Sequence, residues 1–256
     1  MIPGTVAAAP LHGRAPTGAG VGAGVGLAAL SIFFTFVPNL AGQGGGGQQQ
    51  GGPTPRTADG HPDLSGRYLY IAGKPSQEKP AFKPETKAKY QYSTPKGACT
   101  AGGTPTSITA QANEHGSFQL LSLPGTLWIL TEFPQSVRWV PTDGRPHTKD
   151  PDTSFAGESF GRWEGDTLVV DTVGVDGRMR NISVGAFGDN SWTHSEEEHV
   201  IEHFSRPSKS SLIYQVTIDD PVVLAKPWTS APVRWSLAQG AGDHWKPRVP
   251  IAGCDF

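Results

Sequence analysis

The sequence predicts an all-β chain: an antiparallel meander closing into a lipocalin- or calycin-like barrel behind a disordered N-terminal leader. Three observations carry this. From Ser117 onward, short apolar runs alternate with turn residues at a spacing of roughly 8 to 12 residues, the signature of a sandwich or barrel. The strongest pair of runs, Gly161-Arg162-Trp163 and Thr167 to Val173 about the turn Glu164-Gly165-Asp166, reads as a β-hairpin whose second strand is rich in β-branched residues. The tight turns favour a meander, and about eight strands in a meander remove their own edges by closing.

The leader comes first. In the 256-residue chain, Met1 to Ala41 carries Arg14 as its one charge and an apolar, small-residue run from Val21 to Val37 that Pro38 ends. This is the pattern of a secretory signal, with Asn39-Leu40-Ala41 before a cleavage point; the other reading is a retained anchor, since the run approaches the ~20 residues a bilayer needs. Residues 42–54 form a flexible Gly- and Gln-rich tether. Nearly half of the 33 glycines fall before residue 61, so no packed core is expected there. A single barrel domain is expected over residues 55–256.

Within that domain, Asp59-Gly60 is a turn leading through His61-Pro62-Asp63-Leu64-Ser65-Gly66 to a short strand, Arg67 to Ile71. Residues 73–98 are Lys- and Pro-rich, with one short helix expected from Pro84 to Tyr90. Strands follow at Phe118 to Leu123, Leu127 to Phe133, Val137 to Val140, Ser159 to Trp163 and Thr167 to Val173. After a long loop, two more follow at Ser211 to Asp219 and Val233 to Leu237. The segment from Ser195 is ambiguous. Ser195-Glu196-Glu197-Glu198 has the form of a capping box that starts a helix, whereas Val200, Ile201 and Phe204 favour a strand.

Composition excludes some functions. A formal net charge of −2 with no basic block leaves no electrostatic footprint for nucleic acid. The N-terminal glycines precede no βα unit that would cradle a phosphate. Cys99 and Cys254 are the two cysteines, and in an exported chain they are expected to form one disulfide. Closing a loop of that length is worth on the order of 4–5 kcal/mol in the loop-entropy model. Cysteines so far apart are a poor metal signature.

The candidate chemistry sits on strands and loops. In the hairpin's second strand Thr167, Val169, Asp171 and Val173 share one face, so Asp171 lies in a mostly apolar row. Facing the barrel interior it would have a raised pKa and serve as acid, base or ligand anchor; at the rim it would be a solvated strand-end residue. His147, after the turn Asp143-Gly144-Arg145-Pro146, His194 and Glu158 are loop or strand-end residues that would join Asp171 if one mouth of the barrel gathers them. His199-Val200-Ile201-Glu202-His203 matches the H-x-x-E-H string of inverted zinc peptidases. That chemistry requires a helix; in a strand the two histidines stand ~13 Å apart, and no metal or other cofactor is expected. Arg162, Trp163, Trp228, His199 and Glu202 are candidate ligand contacts. The seven tryptophans would line an apolar pocket or fill a β core.

Taken together these segments resemble a family of secreted bacterial proteins of unknown function. The shared motifs are Arg56-Thr57-Ala58-Asp59-Gly60 to Asp63-Leu64-Ser65-Gly66, Asp143-Gly144-Arg145-Pro146-His147, Gly161 to Val173, His194-Ser195 with His199 and Glu202, Thr217-Ile218-Asp219-Asp220-Pro221, and Lys226-Pro227-Trp228-Thr229. They span roughly residues 55 to 256. The chain departs from the pattern at Arg67-Tyr68, where the family commonly has a Trp, at His203, where it has an Arg, and in the tail after Cys254. The resemblance implies export and a strand at His199 to His203; it implies no particular activity.

The expectation is an exported, periplasmic or extracellular monomer, without stable membrane insertion once the signal is removed, that binds a small, partly apolar molecule inside the barrel. The alternative is an acid–base enzyme, a hydrolase, lyase or isomerase, acting on a small organic or sugar-derived substrate in the same cavity.

Overall fold

A computed structural model describes residues 51–71, 76–90, 103–112, 116–132, 135–176 and 192–238. The expected signal segment, most of the expected tether and both cysteines of the expected Cys99–Cys254 disulfide lie outside these residues. The strands are β1 (Gly66–Tyr70), β2 (Ser117–Leu123), β3 (Thr126–Glu132), β4 (Gln135–Pro141), β5 (Glu158–Glu164), β6 (Thr167–Val173), β7 (His199–Ser208), β8 (Ser211–Asp219), β9 (Trp228–Thr229) and β10 (Val233–Leu237). Two short helices, α1 (Pro84–Tyr90) and α2 (Thr106–Thr109), lie between β1 and β2. The strands expected from sequence are present, those at Thr167–Val173, Ser211–Asp219 and Val233–Leu237 and the helix Pro84–Tyr90 with the expected ends and the others with shifted ends. The ambiguous segment from His199 is a ten-residue strand.

All the strands belong to one sheet, a nearly closed barrel, with the order β4-β3-β2-β1-β10-β8-β7-β6-β5 and β9 beside β8. Around the barrel this is chain order, since β10 pairs with β1 and brings the two ends of the meander together, Tyr68 opposite Leu237 and Tyr70 opposite Trp235. The opening falls in mid-chain, between β4 and β5. Its cause is parity. Every pairing along the path is antiparallel. Nine strands alternating in direction therefore leave β4 and β5 pointing the same way.

Parallel neighbours cannot be joined by a tight hairpin and need a long crossover. Residues 142–157 supply it. The seam is bridged near one end by Gly144 N–H donating to Gly161 O at 3.0 Å. The α2 segment plugs it further along, with Thr104 donating from its backbone to Phe155 O and from its hydroxyl to Ala156 O.

Alternation along the strands sends one set of side chains inward. Tyr68, Phe118, Leu120, Leu127, Ile129, Val140, Leu168, Val170, Phe204, Leu212, Tyr214, Val216 and Trp235 form the core, each fully or almost fully buried. Both mouths are covered. At one, Leu64 is buried, His61 stacks on Trp163 at 4.6 Å with the rings 3° from parallel, and Arg56 pairs with Asp166 beyond the β5–β6 turn. That turn has Gly165 at φ +61°, a conformation glycine adopts without strain. At the other, a strap through Phe82, bridged to Leu224, packs with Trp192, which meets Trp228 edge to face at 5.6 Å.

The expected interior cavity is thus taken up by side chains among the described residues. At its centre Arg138 and Glu202 form an ion pair at 2.6 Å, Tyr214 donates to Glu202 at 2.8 Å and Arg138 to Thr104 at 2.7 Å.

Candidate functional site

The sheet face that points outward on β5, β6 and β7 carries Glu158, Phe160 and Arg162, then Val169, Asp171 and Val173, then His199, Ile201 and His203. The pairings Phe160 opposite Asp171 and Asp171 opposite Ile201 fix this register. Asp171 is therefore in the apolar row that the alternation predicts, but the row faces outward, not into the interior. Hairpin geometry alone puts Glu158, opposite Val173, on the same face as Asp171. The crossover from β4 then folds back over this face and brings in His147.

Four side chains join in one chain of contacts. Asp171 Oδ1 lies 2.9 Å from His147 Nε2 and 2.5 Å from His199 Nε2. The other nitrogen of His147, Nδ1, lies 3.0 Å from Glu158 Oε1. Glu158 is itself held by the backbone N–H of Thr148 at 2.9 Å and by the Thr148 hydroxyl at 3.1 Å. Phe160 flanks the His147 ring at 5.2 Å, and the Arg145 guanidinium sits 5.6 Å from the Phe160 ring. The His147 ring thus has a carboxylate oxygen at each of its two nitrogens, and the tautomer decides which nitrogen donates. The four side chains run from 22% to 36% exposed, His199 being the most open.

Electrostatics follow from this geometry. Burial pushes the Asp171 carboxyl up, but the hydrogen bonds and charges of His199 and then His147 outweigh it and hold its pKa below the usual carboxylate value. The raised pKa expected for an interior Asp171 is thereby reversed, because two imidazoles face it. Glu158 is likewise lowered: burial opposes, and the Thr148 backbone and His147 prevail. The hydrogen bond that His199 donates to Asp171 raises the His199 pKa against the opposing effect of burial.

The remaining expected site residues go elsewhere. His194 does not join the group: it is buried, with Nδ1 2.9 Å from Ser195 O and 3.7 Å from a Glu198 oxygen, and burial lowers its pKa. Glu202 points into the barrel against Arg138, on the opposite face of β7 from His199 and His203, so the H-x-x-E-H string presents no zinc ligand set here. Among the described residues no group of three His, Cys, Asp or Glu side chains is placed to hold a metal ion. Trp228 is 4% exposed, donating to Glu78 O at 2.6 Å, and acts as packing between the strap and the barrel.

Arg162 is exposed and paired with Glu164 at 2.8 Å. Trp163 borders a shallow, solvent-open hollow at the His61 mouth. Sequence reasoning missed Thr148 and the inward Arg138–Glu202–Tyr214 group. Alternation about Val137 and Trp139 was the available signal for Arg138, and no local signal marks Thr148.

Comparison with protein-family models, curated proteins and solved structures finds no match to this chain. Function must therefore be argued from the site. No helix of the described residues is long and apolar enough to cross a membrane.

Proposed function

We propose that the protein is an acid–base enzyme acting on a small polar organic molecule at the outer face of β5–β7, with His199 as the proton-transferring group. The observation that carries this reading is the convergence of His199 and His147 on one carboxylate oxygen, Asp171 Oδ1. With Nε2–H donated to Asp171, a neutral His199 presents Nδ1 as a base, and Nδ1 has no partner among the hydrogen bonds of the described residues. Taking a proton there makes an imidazolium, which the Asp171 carboxylate stabilises, as an orienting carboxylate does behind a catalytic histidine.

His147 shares the same carboxylate and is fixed from behind by Glu158 and Thr148. Its role is to position Asp171. A relay built into a rigid sheet, with one member more than a third exposed, suits proton abstraction or donation in isomerisation, elimination or hydrolysis. Arg162, on the same face, supplies a cation for an anionic substituent of the substrate.

The test is a turnover screen of lactones, esters, sugar acids and enolisable carbonyl compounds, with His199→Ala and Asp171→Asn as comparisons. Turnover that falls by ~10²–10⁴ in both variants supports the reading. The same turnover in both variants, together with equal reactivity of all histidines toward an acylating reagent, rejects it.

A further inference from the structure

Two adjacent aspartates close β8 and are used in opposite ways. Asp220 is fully buried and saturated: it accepts from the Ser195 N–H and hydroxyl, each at 2.8 Å, and from the N–H groups of Val222 and Val223, each at 3.1 Å. The chain is thereby fixed where Asp219 emerges. Asp219 faces outward in the same row as Thr217 and Gln215, only partly covered, and its carboxylate makes no hydrogen bond or ion pair with the described residues. It stands directly opposite His199 in the β7–β8 ladder. The Cβ atoms of such a pair are ~4.5–5.5 Å apart, and the Asp219 charge is among those that raise the His199 pKa. His199 thus has Asp171 of β6 holding its Nε2 on one side and the bare carboxylate of Asp219 on the other. Its own Nδ1 is without a partner as well.

We infer that Asp219 is a second substrate-contacting residue of this site, and that the substrate is a polyhydroxylated molecule, a sugar or sugar acid, lying over β7 and β8. The inference rests on the reading of His199 as the proton-transferring group and names what that group acts on. An ionised carboxylate offers only acceptor sites, so Asp219 takes a donor, a hydroxyl or an ammonium. The protonated form of His199 beside it repels an ammonium and leaves the hydroxyl.

The surface next to Asp219 matches hydroxyls in kind. Thr217, two residues back along β8, stands opposite Thr229 of β9, and the two hydroxyls meet at 2.9 Å at the surface. In such a pair one hydrogen lies between the partners, and the other hydrogen and the remaining lone pairs stay available to a ligand. Gln215, next in the row, gives its amide N–H to Ser230 O at 2.7 Å and keeps its side-chain oxygen as an acceptor. Ile201, opposite Thr217, adds an apolar floor for the C–H faces of a ring. Two residues advance ~7 Å along a strand, so a hydroxylated chain or ring a few carbons long reaches both Asp219 and Thr217.

Imidazole NMR of the full chain tests it, with D-gluconate and D-sorbitol as probes and hexanoate and ethylamine as comparisons. The expected result is a saturable shift of the His199 ring signals with both polyols, and weaker binding or none with the comparison compounds. Asp219→Asn should weaken the polyols roughly tenfold or more, since a hydrogen bond to a charged group is lost, and Thr217→Val should weaken them less. Asp59→Asn, at an exposed carboxylate near the opposite mouth, should leave binding unchanged. Circular dichroism of each variant checks that the barrel is spared. No shift with either polyol overturns the inference, as does equal affinity in Asp219→Asn. Hexanoate or ethylamine binding as tightly as the polyols overturns the substrate class. None of these results bears on the turnover comparison of His199→Ala and Asp171→Asn, which decides the underlying reading separately.

Discussion

Arg138 and Glu202 meet at 2.6 Å among the inward side chains of the barrel, their own side chains 4% and 0% exposed. Ions this deep are stabilised by each other and by the Tyr214 and Thr104 hydroxyls. Removing one leaves the other buried and unpaired. Arg138→Ala or Glu202→Ala is expected to cost about 3–5 kcal/mol, whereas an Arg138→Met, Glu202→Leu double replacement should cost far less or nothing. Urea unfolding of the three variants measures this, and a double variant as damaged as the singles would contradict it.

The hydrogen bond that links His199 to Asp171 sets the direction of a titration. The His199 pKa lies above its ordinary ~6.5 and that of Asp171 below its ordinary ~3.9. For His199, raised in the folded state, the contribution to stability is complete below about 6.5 and is lost as pH climbs through the higher folded value. For Asp171, lowered in the folded state, it is complete above about 3.9 and is lost as pH falls through the depressed value. Proton NMR titration of the imidazole signals should show His199 titrating late and, in Asp171→Asn, returning toward the ordinary value or below it. A His199 signal that Asp171→Asn does not move would refute the pairing.

His194 makes the opposite prediction. Burial holds its pKa below the ordinary value, so folded protein binds its proton less readily than unfolded chain. Stability from this residue is present above about 6.5 and is lost as pH falls through the lowered folded pKa. Melting temperature measured from neutral to mildly acid pH should fall more gently in His194→Gln than in the unmodified protein, once the neutral-pH difference is subtracted. Parallel curves would assign the acid sensitivity elsewhere.

Gly157 ties backbone to site. Its φ is +67°, and a Cβ there would lie 2.6 Å from Val173 O. Gly157→Ala is expected to cost about 1–3 kcal/mol through strain in the left-handed region and the clash. It should also displace Glu158, the next residue, from His147. Loss of the His147 signal's native position in the NMR spectrum, alongside the lowered unfolding midpoint, is the expected pair of readouts.

Much of this was legible in the sequence because it depends on period and turn chemistry. The alternation from Thr167 to Val173 gave the right row for Asp171, and the tight turn at Gly165 gave its register against Phe160. The side to which the row points was not legible. Asp171 in an apolar row reads as inward, yet Leu168 and Val170 are the inward residues; what makes the outward row half-apolar is the crossover lying over it. His147 and Glu158 were legible as candidates, but their meeting depends on how that crossover folds back, which no local pattern records. His194 and Trp228 carried the same loop-and-strand-end signal and were drawn into the mouth covering instead. Glu202 reads like His199 in a string, and only the two-residue period of a strand separates them.

The odd strand count has one more consequence. Since β1 and β10 are ladder neighbours while the opening lies between β4 and β5, the barrel's natural cut point is in the middle of the chain. A circular permutant opened within residues 142–157, with the strands at Tyr68 and Leu237 made continuous by a linker, would retain every antiparallel ladder. It would sever only the segment that delivers His147. The barrel and its proton relay are therefore separable by topology: the first needs the ladders, and the second needs the one connection that parity imposes.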